Sequence, residues 1–207
     1  MTHLVILLHG VGAHGSSLAW MADHLPLPGA AFAAPDAPFA FDQAPGGPAR
    51  QWFSVTGVTA ANRPARVAAA REPFDAVLSD TIAAHGLTDH PDRVALVGFS
   101  QGAIMALDAV ATGRWSFGAV VAFSGRLATR PPLTPAGTPV LIAHGRQDTV
   151  IPATEAEAAH AALTAAGAHP DLILEDGVGH APGPQGMARA RTLLAAWTAT
   201  RQTPPRA

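Results

Sequence analysis

The sequence predicts an α/β domain built on a mostly parallel sheet with helices covering both faces. Three observations point there. Short apolar runs of strand length alternate with helical stretches, the pattern of parallel strands joined by crossover helices. The runs are apolar throughout, as in His3–Leu8 and Arg93–Val97, which suits strands buried on both sides. One run leads into Gly98-Phe99-Ser100-Gln101-Gly102, and a stretch of good helix formers follows, so a strand, a tight turn and a helix meet at a serine. The 207 residues, 48% of them hydrophobic, suffice for one such domain with a sizeable core. A single domain over 1–207 is expected, with 201–207 as a frayed tail.

The elements follow in order. His3–Leu8 is the first strand: the start of the chain lacks the basic residues and cleavage site of a signal peptide and runs directly into His9-Gly10. A helix over Ser17–His24 and a strand over Ala30–Ala34 come next. The stretch from Pro35 to Pro64 has little periodicity and carries Phe39, Phe41, Trp52 and Phe53 among Pro and Gly. A long irregular segment of this kind suits a binding loop, and the four aromatics are candidates for one wall of an apolar site; the alternative is that they tuck over the edge of the core. Pro64–His85 reads as helix, with a break expected near Pro73. The strand Arg93–Val97 and the helix Gln101–Thr112 flank the serine turn. Strands over Ala119–Phe123, Pro139–Ala143 and Asp171–Glu175, with helices over Thr154–Ala166 and Pro184–Thr200, complete the chain.

Composition excludes several function classes. The formal net charge is -2, only 14% of residues are charged, and no basic run is present, which argues against nucleic acid as a partner. No apolar stretch is long enough to span a bilayer, so no stable membrane insertion is expected. The absence of cysteine removes disulfides, thiolate metal sites and a cysteine nucleophile, and is compatible with the cytoplasm, the location expected. None of the ten histidines forms a pair with metal-ligand spacing and a supporting carboxylate, so neither a metal nor another cofactor is expected.

A serine hydroxyl needs a base to take its proton and an acid to orient that base. In a fold with this strand-turn-helix, the chain order is serine, acid, histidine. Asp148 is the candidate acid: it lies just beyond the carboxyl end of a buried strand, the edge where catalytic groups of parallel sheets gather. Its alternative role is to cap a turn or the following helix, and Asp176 is the reserve candidate. The candidate base is His180, in the glycine-rich loop between the last strand and the last helix. His144, at the strand end that carries Asp148, reads as structural. Two backbone N–H groups must also meet the oxyanion of the tetrahedral intermediate, at about 3 kcal/mol each. Gln101, directly after the serine, supplies one. The loop His9-Gly10-Val11-Gly12 supplies the other, from Val11 or from neighbouring Gly10.

Four segments together resemble the phospholipase/carboxylesterase family of α/β-hydrolases, the group containing acyl-protein thioesterases. They are Leu8-His9-Gly10-Val11-Gly12, Gly98-Phe99-Ser100-Gln101-Gly102-Ala103, His144-Gly145-Arg146-Gln147-Asp148-Thr149-Val150-Ile151-Pro152, and Gly179-His180. The resemblance implies an α/β-hydrolase fold without a large lid domain. It also implies ester or thioester hydrolysis with Ser100, Asp148 and His180 as triad. Two departures, Ala13-His14 where relatives carry an acidic residue and Ser54 where they often carry Asp, lie near the expected acyl-side wall. The function expected is cleavage of carboxylic esters of short to medium acyl chains through an acyl-enzyme. Thioesterase or lysophospholipase activity is the alternative on the same triad. A non-catalytic binding protein would be expected to have lost a triad member. The expected partner is a small-molecule ester or thioester, and a homodimer is left open.

Overall fold

Each of the six apolar runs becomes a strand of one sheet. The computed structural model describes residues 3–200, so the expected tail at 201–207 lies outside the described residues. The strands are β1 (His3–Leu8), β2 (Ala30–Ala33), the two-residue β3 (Phe39–Ala40) and β4 (Arg50–Gln51), β5 (Val94–Phe99), β6 (Ala119–Phe123), β7 (Val140–Gly145) and β8 (Asp171–Glu175). The helices are α1 (Trp20–His24), α2 (Arg63–Ala69), α3 (Arg71–Ala84), α4 (Gln101–Ala111), α5 (Thr154–Ala165) and α6 (Pro184–Thr200). Six strands pair in parallel in the order β2-β1-β5-β6-β7-β8. The winding reverses between β1 and β5. Connections leaving the carboxyl ends of those two strands therefore diverge and open a crevice, the preferred ligand position in such sheets.

Alternation along each strand builds a core on either side. Leu4, Ile6 and Leu8 of β1 join Leu96, Val120 and Ile142 against Phe74, Leu78 and Ile82 of α3 and Leu163 of α5. Val5 and Leu7 join Val97, Val121 and Leu141 against Met21 of α1 and Leu194 and Trp197 of α6. Helices thus cover both faces, as expected. The helix after the serine, α4, is buried along its whole length. Its apolar circumference suits a helix packed between the sheet and α3.

One charge interrupts α4. Asp108 is fully buried and accepts hydrogen bonds from Arg71 Nε and Nη2 (2.9 Å each), Arg114 Nη1 (2.8 Å) and Thr129 Oγ1 (2.6 Å). Burial alone would raise its pKa, but the bonds from Arg71, Thr129 and Arg114 outweigh it and hold the carboxyl below its ordinary range. Asp108→Asn keeps the shape and removes the charge, taking the anion from Arg71 and leaving Arg114 with Asp75 as its counter-charge. Unfolding free energy should fall by about 3 kcal/mol. A depressed carboxyl pKa stabilises the fold above the unfolded-state value and loses that contribution as pH falls through the folded-state value. The gap between wild type and variant in denaturant titrations should therefore narrow in acid.

Several boundaries differ from the sequence expectation, each for a local reason. The long helix breaks at Ala70, near Pro73 as expected, and just ahead of it. In an unbroken helix the Pro73 ring would strike the carbonyl of residue 69. The chain restarts at Arg71, so that Pro73 falls in the first turn of α3, where its missing N–H costs nothing. The helix expected over Ser17–His24 is a 3₁₀ turn at Gly15–Leu18 followed by the short α1. Strand β5 continues through Phe99 to the edge of the serine turn, and β7 continues to Gly145. Within the irregular stretch, β3 pairs antiparallel with β4. Asp42 then gathers Gln51 Nε2 (2.6 Å), Ser54 Oγ (2.6 Å) and Thr56 Oγ1 (3.0 Å).

Candidate active site

Ser100 occupies the turn between β5 and α4 with φ 53° and ψ -115°, a backbone conformation costly for a residue with a side chain. Close approach around it explains the flanking glycines. A Cβ on Gly98 would stand 2.6 Å from the Ala103 nitrogen, and one on Gly102 2.1 Å from the Leu8 carbonyl oxygen. Without those atoms, α4 packs directly on β1 and the serine is lifted to the sheet edge. The Ser100 N–H donates to the Phe123 carbonyl (2.9 Å), which anchors the turn to β6.

The structure brings the three residues of the expected triad together. Ser100 Oγ lies 2.9 Å from His180 Nε2, and His180 Nδ1 lies 2.7 Å from Asp148 Oδ2. The carboxylate only accepts, so it selects the tautomer with the proton on Nδ1 and leaves Nε2 as acceptor for the hydroxyl. The other Asp148 oxygen, Oδ1, accepts the N–H groups of Val150 and Ile151, both at 2.8 Å. Burial pushes the Asp148 carboxyl up, but the hydrogen bond from His180 and those two backbone donors win and lower its pKa. The reserve acid, Asp176, instead pairs with Arg146 at 3.4 Å on the exposed surface. His144 is buried, donates from Nε2 to the Ile151 carbonyl (2.8 Å) and lies 3.1 Å from Asp148 Oδ2. It therefore holds the turn that carries Asp148.

Sequence reasoning missed several supports. The Phe99 ring lies 5.0 Å from the His180 ring, centroid to centroid. Buried Glu175 accepts the N–H groups of Gln185 (2.7 Å) and Gly186 (2.8 Å), capping α6 and closing the far end of the His180 loop. A carboxylate at the last position of the expected strand Asp171–Glu175 was the available signal, yet it reads simply as a strand end. Among the described residues, no group of three His, Cys, Asp or Glu side chains is placed to hold a metal ion.

A cavity of about 410 Å³ opens beside the serine. Its walls include Val11, Leu18, Trp20, Phe99, Val150 and Pro182, with His9, Gly10 and His180 at the serine end. Gly10 comes so close that a Cβ there would be 3.3 Å from the Ser100 Cβ. Gln101 is the first residue of α4, so its N–H has no intrahelical acceptor and sits at the positive end of the helix dipole.

The four aromatics expected along the acyl wall are placed elsewhere. Trp52 is wholly buried, packs edge-on to Phe74 (centroids 5.3 Å apart) and donates its indole N–H to the His9 carbonyl (2.9 Å). Phe53 and half-exposed Phe39 line a separate cavity of about 440 Å³ with Asp42 and Arg66. Phe41 packs on Gly12, where an added Cβ would be 3.3 Å from its ring. The cause is the Gln101 side chain, which accepts the Trp52 N–H and donates to the Phe53 carbonyl, both at 2.7 Å, and so turns that segment inward. Trp20, 42% exposed in the short α1, supplies apolar surface where Trp52 was expected to.

The family model described as Phospholipase/Carboxylesterase matches residues 1–198. The chain is 36% identical over 186 residues to Esterase YpfH of Escherichia coli (strain K12), covering 86% of this chain and 75% of that protein. It is 28% identical over 205 residues to Acyl-protein thioesterase 1 of Eremothecium gossypii, covering 92% and 86%. Among solved structures, esterase PE8 superposes with a TM-score of 0.80 at 32% identity, covering 94% of this chain and 92% of that one.

Proposed function

The chain belongs to the phospholipase/carboxylesterase family, and on that premise we propose that it is a carboxylesterase-type serine hydrolase in which Ser100 is the nucleophile, His180 the base and Asp148 the acid that orients it. The observation that carries this reading is the continuous chain from Ser100 Oγ through His180 to Asp148, at 2.9 and 2.7 Å, beside an open cavity. His180 Nε2 takes the hydroxyl proton as Oγ attacks the ester carbonyl carbon. The carbonyl oxygen becomes an oxyanion facing the N–H groups of Gln101 and Val11. His180 then protonates the departing alkoxide. Water, activated by the same imidazole, attacks the acyl-enzyme and releases the acid. Labelling with a fluorophosphonate probe tests the reading: wild type should react at Ser100 and Ser100→Ala should not. An unlabelled wild type would refute the mechanism.

The reading includes a small-molecule ester substrate and a cytoplasmic location. Among the described residues, no helix is long and apolar enough to cross a membrane. The cavity volume supports short to medium acyl chains. Each buried methylene contributes about 0.8 kcal/mol, so kcat/KM should climb with chain length and level off where the cavity ends. Trp20→Ala should reduce the preference for butyryl over acetyl esters about fivefold, equivalent to roughly 1 kcal/mol of lost burial. An unchanged preference would remove Trp20 from the acyl wall. The similarity to a protein named acyl-protein thioesterase 1 favours thioester hydrolysis as a second reading. Matched octanoyl esters and thioesters distinguish the two.

The pH dependence has a definite sign. The lowered Asp148 pKa keeps that carboxylate charged in acid where an ordinary one would begin to protonate. Only the neutral form of His180 accepts the serine proton, so kcat/KM should fall on acidification. Activity that held level or rose on acidification would remove His180 as the base.

A further inference from the structure

The side chain of the residue after the nucleophile takes no part in the chemistry described so far, yet it is buried and fully engaged. Gln101 Oε1 accepts the Trp52 N–H and Gln101 Nε2 donates to the Phe53 carbonyl, both at 2.7 Å. A carboxamide supplies both the acceptor and the donor; an ionised carboxylate lacks the donor, and a thioether has no donor and only a weak acceptor. Trp52, fixed in this way, donates its indole N–H to the His9 carbonyl at 2.9 Å.

His9 continues the chain. Its Nε2 is the acceptor for the Ala37 N–H at 3.0 Å. A backbone N–H cannot accept, so Nε2 carries no proton and the neutral ring bears its proton on Nδ1. That proton is donated to the Gly10 carbonyl at 2.8 Å. Burial favours the same state by pushing the imidazole pKa down, against the Gly10 hydrogen bond and the charge of Asp36. The carbonyls of His9 and Gly10 are therefore both pinned. In a trans peptide the following N–H points opposite to the carbonyl. Pinning the Gly10 carbonyl to the His9 ring aims the Val11 N–H away from that ring, in the stretch of loop where Gly10 meets Ser100.

We propose that Gln101, Trp52 and His9 form a brace that sets the oxyanion-binding loop, so that Gln101 supplies one oxyanion donor from its backbone and positions the other, on Val11, through its side chain. The proposal rests on the serine-hydrolase reading above. These three are positioning residues: none of their side chains needs to touch the substrate. A misaimed Val11 N–H would weaken binding of the tetrahedral state and leave ground-state ester binding nearly unaltered.

The two nitrogens of His9 separate this role from simple packing. His9→Asn places an amide donor near the position of Nδ1, within reach of the Gly10 carbonyl. His9→Gln places its amide near Nε2, where it meets the Ala37 N–H and leaves the Gly10 carbonyl with only the longer bond from the Ala13 N–H (3.3 Å). Gln101→Met keeps side-chain length and removes both hydrogen bonds. The expected result is a fall in kcat of about 10²-fold for Gln101→Met and His9→Gln, with KM within a few-fold of wild type. His9→Asn should retain more kcat than His9→Gln. Affinity for a trifluoromethyl ketone, which forms a tetrahedral adduct with the serine, should fall in step with kcat. Wild-type kcat in a folded Gln101→Met, or His9→Gln outperforming His9→Asn, overturns the brace. Fluorophosphonate labelling of the wild type keeps the two readings apart. Labelling with no effect of the variants removes the brace alone, whereas no labelling removes both.

Discussion

Ser100→Ala should fold as wild type does and lose about 10⁴-fold or more of kcat. The substitution removes one oxygen and leaves the Cβ, so the costly φ of 53° and the packing of α4 on β1 are unaltered. The hydrogen bond from the Ser100 N–H to the Phe123 carbonyl, made by the backbone, also survives. What disappears is the oxygen proposed to form the acyl-enzyme. The cavity and the two proposed oxyanion donors remain, and they can still favour direct attack of water on a bound ester, which sets the floor of residual activity. His180→Ala should cost a comparable factor, and the double variant little more than either single one, because the two side chains act as a unit. His144→Ala should cost much less, since its Nε2 reaches the Ile151 carbonyl and the flank of Asp148 and not the serine. Steady-state kinetics on a short-chain p-nitrophenyl ester, with melting curves for each variant, check the whole set. Substantial turnover in folded Ser100→Ala, or a dead His144→Ala beside an active His180→Ala, would overturn the assignment.

The parts legible in the sequence were those written in contiguous residues. The strands announce themselves as apolar runs, and Gly98 and Gly102 mark the serine turn because no other residue fits the approach of α4 to β1 and β5. Asp148 and His180 could be picked out because each lies just past the end of a strand, in the chain order that this fold imposes. The 35–64 stretch was illegible for a different reason. Its shape is set by Gln101, some fifty positions further along the chain, and by pairs of residues too short to show a period. Trp52 therefore reads equally well as cavity wall or as core. The role of His9 depends on which nitrogen meets the Ala37 N–H, a tertiary fact with no local signature. Trp20 was passed over because the helix expected around it hid the turn at Gly15–Leu18 that brings it beside the serine.

Trp52→Ala should be the most destabilising of the single substitutions considered, and its kinetic signature should differ from that of an acyl-wall residue. The side chain is completely buried, so its removal both forfeits apolar burial and leaves a cavity beside Phe74. Such truncations cost about 3–5 kcal/mol. The His9 carbonyl also loses its indole donor in a buried setting, which adds to the loss. For a chain of this size, a melting temperature lower by on the order of 10 °C follows. Because Trp52 does not border the cavity at Ser100, the loss of kcat/KM should be of similar size for acetyl, butyryl and octanoyl esters. Trp52→Phe separates the two contributions. It keeps most of the apolar volume and lacks the N–H, so it should recover much of the melting temperature while kcat stays depressed. Loss confined to octanoyl esters, with an unshifted melting temperature, would return Trp52 to the acyl wall and refute its place in the core.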